Sequence, residues 1–146
     1  MTADYIFCRI ARREVAYHVV YEDDRLVAFL DRGPIRPGHT QIVPRDHFPY
    51  FDEAPFDVVC AIAYTGQKIA RALKLLYRVP RVAFLFTGAD IDHVHAHVVP
   101  MLEKTDITSR RYIVEDAVTF RAMPQASEAE LASSAEALRM ALPGLG

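Results

Sequence analysis

Three histidines stand at alternate positions in the segment 93–99, which reads His-Val-His-Ala-His-Val-Val. Successive side chains of an extended strand point to opposite faces, so this spacing places the three imidazoles in one row on one face. Imidazole changes its charge near neutral pH and can act as a base, an acid, a nucleophile or a metal ligand. The segment therefore predicts a chemical site, because a hydrophobic core gains nothing from such a row.

The row suits phosphate chemistry better than the binding of a small cation. Same-face neighbours in a strand lie about 6.6 Å apart, so the outer two histidines lie about 13 Å apart at the backbone. Three successive ligands from one strand fit a single small ion poorly, whereas a phosphate chain can contact all of them. A neutral imidazole can attack phosphorus when an acceptor holds its other N–H, and flanking imidazolium groups offset the charge on the phosphoryl oxygens. A metalloenzyme that uses two of these histidines together with His39 is the alternative.

Composition indicates one globular domain over residues 1–146. The chain has a formal net charge of -2, and its arginine pairs at 12–13 and 110–111 are isolated, so a nucleic-acid surface is not expected. No apolar stretch approaches the roughly 20 residues needed to span a bilayer. The two cysteines form no spaced metal motif and suit a reducing compartment. We therefore expect a cytoplasmic enzyme or binding domain without a membrane partner.

The elements that must position the histidines follow from hydrophobic periodicity and turn residues. A long amphipathic helix is predicted from Pro55 to Tyr77 or Arg78, and a capping box at Ser127 and Glu130 announces a second helix. The predicted strands are Ala16–Tyr21, Arg25–Asp31, His39–Pro44, Val82–Thr87 and His93–Val99, with weaker candidates at Tyr112–Val114 and Val118–Met123; residues 5–13 form a short helix. This order predicts an α+β fold, an antiparallel sheet of about five core strands with helices packed on one side of it.

The segment 93–99 also matches, at every position, the signature His-φ-His-φ-His-φ-φ (φ apolar) of the histidine triad (HIT) family of nucleotide-binding hydrolases and transferases, which the chain resembles. Weaker motifs of the family follow in the expected order over about residues 4–101, which leaves about 103–146 as a C-terminal extension. The resemblance implies a HIT-like fold and a homodimer formed through the long helix and sheet edges. It also implies attack at the α-phosphate of a purine nucleotide conjugate, a nucleoside phosphoramidate or a dinucleoside polyphosphate.

The resemblance also implies roles for individual residues. His95 becomes the nucleophile of a transient nucleotidyl-phosphohistidine, His93 and His97 orient it and contact phosphate, and His39 lies close to the same cluster. The residues at the positions that bind nucleoside in the family are Asp31 for the ribose and Ile6, Phe7, Ile10 and Phe29 for the purine base.

Two departures from the family pattern limit what the resemblance implies. Many relatives carry Gly-Gln-Ser or Gly-Gln-Thr before the triad, where this chain has Gly88-Ala89-Asp90, and an asparagine near the position of Thr87. Thr87, Gly88 and Asp90 are thus the expected phosphate-side residues, although an ionised Asp90 repels phosphate and suits a cationic amine leaving group. This change makes a nucleotide sensor or scaffold without turnover a second hypothesis.

The second departure concerns zinc. Some bacterial relatives hold a structural ion with Cys-x-x-Cys near the start and two later histidines. Tyr5 replaces the first of these cysteines here and leaves Cys8 alone. A single thiolate with His47 makes a poor four-ligand site, so we predict no structural zinc and no cofactor.

Overall fold

The protein folds around a five-stranded antiparallel sheet with helices on both faces, as seen in a computed structural model that describes residues 5–88, 90–108, 113–115, 117, 122 and 124–145. Two single-turn 3-10 helices lie at Phe51–Glu53 and Leu142–Leu145. The main elements, in chain order, are α1 (Ile6–Ala11), β1 (Val19–Glu22), β2 (Leu26–Leu30), β3 (Thr40–Pro44), α2 (Phe56–Tyr77), β4 (Arg81–Thr87), β5 (His95–Met101) and α3 (Glu128–Ala141).

The strands are ordered β1-β2-β3-β5-β4, so β5 lies between β3 and β4. Ile42 pairs with Ala96 on one side of β5, and Thr87 pairs with His95 on the other. All strand pairs are antiparallel. The histidine strand is therefore flanked by two others, and the side chain of Thr87 on β4 reaches its imidazoles.

Because successive side chains of a strand point to opposite faces, the sheet has one hydrophobic cluster on each face. On one face, Ala28, Ile42 and Ala96 pack with Ile69 of α2 and Leu138 of α3 in the larger apolar cluster. The smaller cluster on the other face joins α1 to the sheet and consists of Phe7, Ile10, Val27, Phe29 and Val43. The prediction that the helices lie on one side of the sheet is therefore wrong. A helix as short as α1 is not stable alone, so this packing is what holds it.

Most of the predicted elements are confirmed, with shifted bounds. Strand β5 begins at His95, two residues later than predicted, and His93 lies in the turn before it, where its N–H donates to the carbonyl of Ile91. Pairing with β3 reaches only Ala96, because β3 ends at Pro44, which has no N–H to continue the ladder. His93 therefore lies close to the histidines of β5, but it is not part of the strand.

The C-terminal part of the chain is helical where the capping box predicted it. The Ser127 hydroxyl accepts from the Glu130 N–H, and the Glu130 carboxylate accepts from the Ser127 N–H. The weaker strand candidates are not confirmed: residues 113–114 lie outside any strand, and Tyr112, 118–121 and 123 lie outside the described residues. Within the described part of the chain, no helix combines the length and apolar character needed to cross a membrane.

Candidate active site

The four histidines singled out from the sequence come together on the α1 face of the sheet. His39 begins the segment that leads into β3, and its Nε2 lies 2.8 Å from Nδ1 of His97. The rings of His95 and His97 lie 5.2 Å apart between centroids. His39, His93 and His95 are 3%, 0% and 4% exposed, so they line a covered site and not the open row that a bare strand would present.

Gly38 is required for the approach of His39. Its φ of +90° is a conformation that residues with a side chain rarely adopt. A Cβ at this position would also lie 2.6 Å from the ring of Tyr77 and 2.7 Å from Leu73, both on α2. The glycine thus lets the chain pass closely over the long helix before it enters β3 with His39.

Hydrogen-bond partners assign the proton positions of the neutral imidazoles on the β3 side of the row. The Ile35 N–H can only donate, and it points at Nδ1 of His39 at 3.2 Å, so the ring proton of His39 is on Nε2. This Nε2–H donates to Nδ1 of His97, which places the His97 proton on Nε2. His97 Nε2 lies 3.1 Å from the Thr87 hydroxyl. His97 therefore offers an N–H toward β4.

The same reasoning assigns the other two rings. The His93 carbonyl can only accept, so His95 Nδ1, at 2.8 Å, carries the proton of the neutral ring. His95 Nε2 is left with its lone pair, and it accepts from the Thr87 hydroxyl at 2.9 Å. His93 Nε2 donates to the carbonyl of Pro44 at 2.9 Å, which leaves its Nδ1 as an acceptor. Each imidazole thus has one defined tautomer, and in His95 the nitrogen without a proton is Nε2, which faces Thr87.

Burial keeps three of these rings neutral. Desolvation lowers the pKa of His93 to about 4, a shift opposed by its bond to Pro44 and reinforced by the nearby His47 and His95. Desolvation, with the neighbouring His39 and His95, also lowers the pKa of His97 to about 4. The pKa of His39 is lowered by burial as well, although the charge of Asp31 opposes the shift. The imidazolium groups expected from the sequence are therefore minor species at pH 7.

A second cluster lies behind the row, at Cys8, His47 and His93. Cys8 Sγ lies 3.1 Å from Nδ1 of His93 and 3.4 Å from Nδ1 of His47. These three atoms and the set Asp31, His39 and His97 are the two groups within the described residues that could surround a metal ion. A structural zinc site needs a fourth protein ligand. Tyr5, which stacks on His47, instead donates its hydroxyl to Asp92, and this hydrogen bond raises its pKa and keeps the phenol neutral.

The prediction of no structural zinc can be tested by restoring the missing ligand. We expect protein purified without added metal to hold far less than one zinc per chain by elemental analysis. The Tyr5→Cys variant adds a second thiolate beside Cys8 and His47, and we expect it to retain zinc near one per chain after dialysis. Tyr50→Cys, which removes the other tyrosine bonded to Asp92, is the control. Stoichiometric zinc in the unmodified protein would contradict the prediction.

The tautomer of His39 disfavours a cation at Asp31, His39 and His97. The ligand atom on the metal side would be His39 Nε2, which must then lose its proton to Nδ1. A protonated Nδ1 would face the Ile35 N–H, and two donors cannot share one hydrogen bond. The metalloenzyme alternative therefore requires the Ile35–His39 contact to break.

Asp31, the expected ribose ligand, stands at the end of β2 beside the row. Its Oδ1 accepts from the Gly33 N–H at 2.8 Å, and its Oδ2 accepts from Nε2 of Gln41 at 2.6 Å. Because a carboxylate can only accept, this contact fixes the amide so that the Gln41 Oε1 points the other way. That oxygen is the one buried side-chain N or O atom, among those described, that has no partner. Sequence reasoning missed Gln41, which no motif marks.

The residues expected at the purine base divide into core and surface. Phe7, Ile10 and Phe29 are 4%, 2% and 0% exposed, and the ring of Phe7 packs against those of Phe29 and His95. Ile6 is 37% exposed. A base can enter between these side chains only if Phe7 moves from Phe29. Base contact at these four positions stays a prediction.

The segment before β5 is held by tyrosines. Asp92 accepts from Tyr50 at 2.9 Å and from Tyr5 at 3.2 Å, so both oxygens of its carboxylate are engaged. Asp90 and Gly88 are exposed, whereas the Thr87 hydroxyl bridges His95 and His97. Of the three expected phosphate-side residues, Thr87 is thus the one in contact with the row.

His47 is exposed, and its ring contacts both Cys8 and His93. Cys8 is buried, whereas Cys60 is exposed. His18 lies outside this cluster and has a structural contact, since its Nε2 lies 2.6 Å from the Glu128 carboxylate at the start of α3. No spacing rule links His47 to Cys8, because the contact joins α1 to the segment after β3.

An antiparallel α+β domain that gathers four histidines on one face of its sheet defines the class of protein. The family model of the HIT domain matches residues 12–104, and the chain belongs to this family. Among solved structures with this fold is a Zn-bound histidine triad family protein from Mycobacterium smegmatis. It has a TM-score of 0.75 and 26% identity, and the match covers 97% of this chain and 95% of that one.

Three relatives illustrate the range of the family. An uncharacterised HIT-like protein from Methanocaldococcus jannaschii is 38% identical over 67% of this chain and 79% of its own length. The adenylylsulfatase HINT3 of Arabidopsis thaliana is 32% identical over 69% of this chain and 54% of its own. The adenosine 5'-monophosphoramidase HNT1 of Saccharomyces cerevisiae is 30% identical over 68% and 64%, respectively.

Proposed function

We propose that this protein is a hydrolase or nucleotidyl transferase that acts at the α-phosphate of purine nucleotide conjugates through a covalent nucleotidyl-His95 intermediate. The observation that carries the proposal is the 2.8 Å hydrogen bond from His95 Nδ1 to the carbonyl of His93. This bond uses the one N–H of the neutral ring, so the lone pair of Nε2 faces Thr87 and His97. An activated nucleophile oriented by a third group is the usual arrangement for covalent catalysis.

In this proposal the phosphoryl group takes the position in front of His95 Nε2 that the Thr87 hydroxyl now fills. Nε2 attacks phosphorus, the leaving group departs, and water then releases the nucleoside monophosphate. The His97 N–H and the Thr87 hydroxyl, once it turns from His95, stabilise the charge on the phosphoryl oxygens. The activities in the names of the Arabidopsis and yeast relatives, an adenylylsulfatase and a phosphoramidase of adenosine 5'-monophosphate, support cleavage at an adenylyl phosphate.

The nucleoside lies on the β2–β3 side of the row in this arrangement. Asp31 accepts from the ribose hydroxyls, a role that suits a carboxylate whose two oxygens retain free lone pairs. The purine base lies at Ile6 and at the edge of the tilted ring pair of Phe7 and Phe29. His39 acts as a positioning residue, because its Nε2–H holds the ring of His97 and not the substrate.

A nucleotide sensor without turnover is the second candidate. It is favoured by the low exposure of His95, at 4%, and by the exposed Asp90 that replaces a small polar residue of many relatives. A covered nucleophile and a nearby carboxylate both oppose the approach of a phosphate.

Turnover separates these two candidates. We expect the protein to release several equivalents of adenosine monophosphate per chain from adenosine 5'-phosphoramidate, followed by chromatography, without added metal. The same preparation is titrated with adenosine monophosphate by calorimetry. Binding of the monophosphate without its release from the phosphoramidate would favour the sensor and contradict the proposed reaction.

We also propose a cytoplasmic homodimer that binds neither nucleic acid nor membrane. Large apolar side chains are exposed on α2 and on β4, the helix and edge strand through which the sequence predicted association, namely Phe56, Tyr64, Leu75, Leu76 and Phe84. Several large apolar side chains exposed on one helix and the adjacent edge strand favour a protein interface. Within the described residues, neither Cys8 nor Cys60 forms a disulfide, which suits a reducing compartment.

A further inference from the structure

Gln41 places an unsatisfied hydrogen-bond acceptor inside the candidate active site. The residue lies on β3 and is 9% exposed, and its Oε1 is buried without a hydrogen-bond partner among the described residues. Its Nε2 donates to Oδ2 of Asp31 at 2.6 Å, which fixes the orientation of the amide. A buried acceptor without a donor destabilises a fold, and a hydrophobic side chain of similar size would avoid this penalty. A donor from a bound molecule would also remove it.

The register of the sheet places Gln41 between the proposed nucleoside site and the histidine row. Gln41 pairs with Phe29 of β2 on one side and with His97 of β5 on the other. Residues directly opposite each other in neighbouring strands project to the same face, so these three side chains lie on the face that carries the histidines. Asp31, the expected ribose ligand, bonds to the Gln41 amide on this face. The amide therefore lies at the ribose end of the proposed substrate.

The imidazole donors near Gln41 are already used in other hydrogen bonds. The ring N–H of His39 is donated to His97, and that of His97 points at the Thr87 hydroxyl. The ring N–H of His95 is donated to a backbone carbonyl. Among the described residues of the row, no ring proton is therefore left for the Gln41 Oε1. The donor that satisfies this oxygen has to come from a molecule bound in the site.

The ring of Phe7 lies across β3 on this face of the sheet. Its centroid is 5.6 Å from that of Phe29 on β2 and 5.1 Å from that of His95 on β5, and β3 runs between these two strands. Because side chains alternate along a strand, the β3 residues on this face are Gln41 and Val43. A displacement of Phe7 from Phe29, which entry of the base requires, would therefore open this part of β3 as well.

We propose that Gln41 is a specificity-determining residue whose Oε1 accepts a hydrogen bond from one of the two ribose hydroxyls, while Asp31 accepts from the other. The inference rests on the proposed function and specifies its substrate class as conjugates of ribonucleotides, not of deoxyribonucleotides. Each hydroxyl has one proton to donate, so a vicinal diol matches two adjacent acceptors. The Gly33 N–H and the Gln41 amide both donate to Asp31, so the two acceptors are held together before the ribose binds.

Three nucleotides that differ only in the ribose test this role by binding, without turnover. Calorimetry compares adenosine 5'-monophosphate with its 2'-deoxy and 3'-deoxy analogues, and we expect the unmodified protein to bind each analogue at least about tenfold more weakly. Gln41→Met keeps the size of the side chain and removes its acceptor. This variant should bind the ribonucleotide about tenfold more weakly than the unmodified protein does. Its affinity for one of the two analogues should stay within about twofold, because that analogue lacks the hydroxyl that Gln41 contacts.

Asp31→Ala is the matched comparison, because it removes the other acceptor, and thermal unfolding of each variant confirms that it is folded. The analogue whose binding is insensitive to Gln41→Met should still lose affinity in Asp31→Ala. Equal effects of Gln41→Met on all three nucleotides, or one analogue insensitive to both substitutions, would overturn the role of Gln41 while the proposed reaction stands. So would an unmodified protein that binds either analogue as tightly as the ribonucleotide. A protein that neither binds adenosine 5'-monophosphate nor releases it from the phosphoramidate would overturn the proposed function and this inference with it.

Discussion

Replacing His95 with alanine should lower the rate of adenosine monophosphate release from adenosine 5'-phosphoramidate by about 10⁴-fold or more. Among the imidazoles of the row, His95 alone has an unprotonated nitrogen, Nε2, that faces the proposed position of the phosphorus atom. Its neighbours cannot replace it: the Nε2 atoms of His93 and His97 both carry protons in the tautomers that Pro44 and His39 impose. Steady-state kinetics with the purified variant measure the loss.

The control for this substitution is His18→Ala. His18 is also a histidine of the sheet region, but it contacts Glu128 on α3 and lies outside the site. We expect the control to keep the unmodified rate and the His95→Ala variant to keep its affinity for adenosine monophosphate, since Asp31 is intact. A His95→Ala enzyme that retains more than about a tenth of the rate would show that another group is the nucleophile.

The free energy of unfolding should fall as the pH is lowered from about 6.5 to about 4. Histidine in the unfolded chain has a pKa near 6.5, whereas His93 and His97 have pKa values of about 4 in the folded protein. Between these values the unfolded chain binds protons that the folded protein does not, so acid favours unfolding. Above about pH 6.5 these two groups are neutral in both states and contribute no pH dependence. For the fully buried His93, the shift corresponds to about 3 kcal/mol.

Urea unfolding at intervals between pH 7.5 and 4.5 measures this loss. His93→Gln removes one of the two groups, and its free energy of unfolding should fall less steeply with acid even if the variant is less stable at pH 7. Equal stability of the unmodified protein at pH 7 and pH 5 would show that the buried rings take up protons without cost.

Local patterns predicted the elements of the fold because each pattern is satisfied within a few residues. The two hydrogen bonds of the capping box at Ser127 and Glu130 form within one turn of α3. The regularly spaced apolar side chains of α2 pack on one face of the sheet. The start of β5 was missed for a non-local reason. Whether His93 enters the strand depends on β3, which ends at Pro44 some fifty residues earlier in the chain.

The candidate site was predictable only as far as its residues belong to motifs. The triad and His39 could be named, but their tautomers depend on the Ile35 N–H and on the carbonyls of Pro44 and His93, which carry no sequence signal. Likewise, the row of histidines in the sequence suggested imidazoles that are charged and exposed to solvent. The structure buries them, and burial lowers the pKa of three of them.

Long-range contacts account for the features that no pattern marked. Gln41 meets Asp31 because β2 and β3 are neighbours, and Arg36 fixes Asp106 across seventy residues of chain. Cys8 reaches His47 and His93 because α1 folds back on the sheet. Each of these contacts is an ordinary hydrogen bond, but its two partners can be identified only when the fold is known.

Trapping the covalent intermediate tests the role of His95 most directly. The protein is mixed with adenosine 5'-phosphoramidate, quenched within milliseconds to seconds in alkali, where phosphohistidine survives, and digested for mass spectrometry. One adenylyl group on the peptide that contains His95, absent from the His95→Ala variant, is the expected result. Release of adenosine monophosphate with no adduct at any quench time, or an adduct on a different residue, would contradict it.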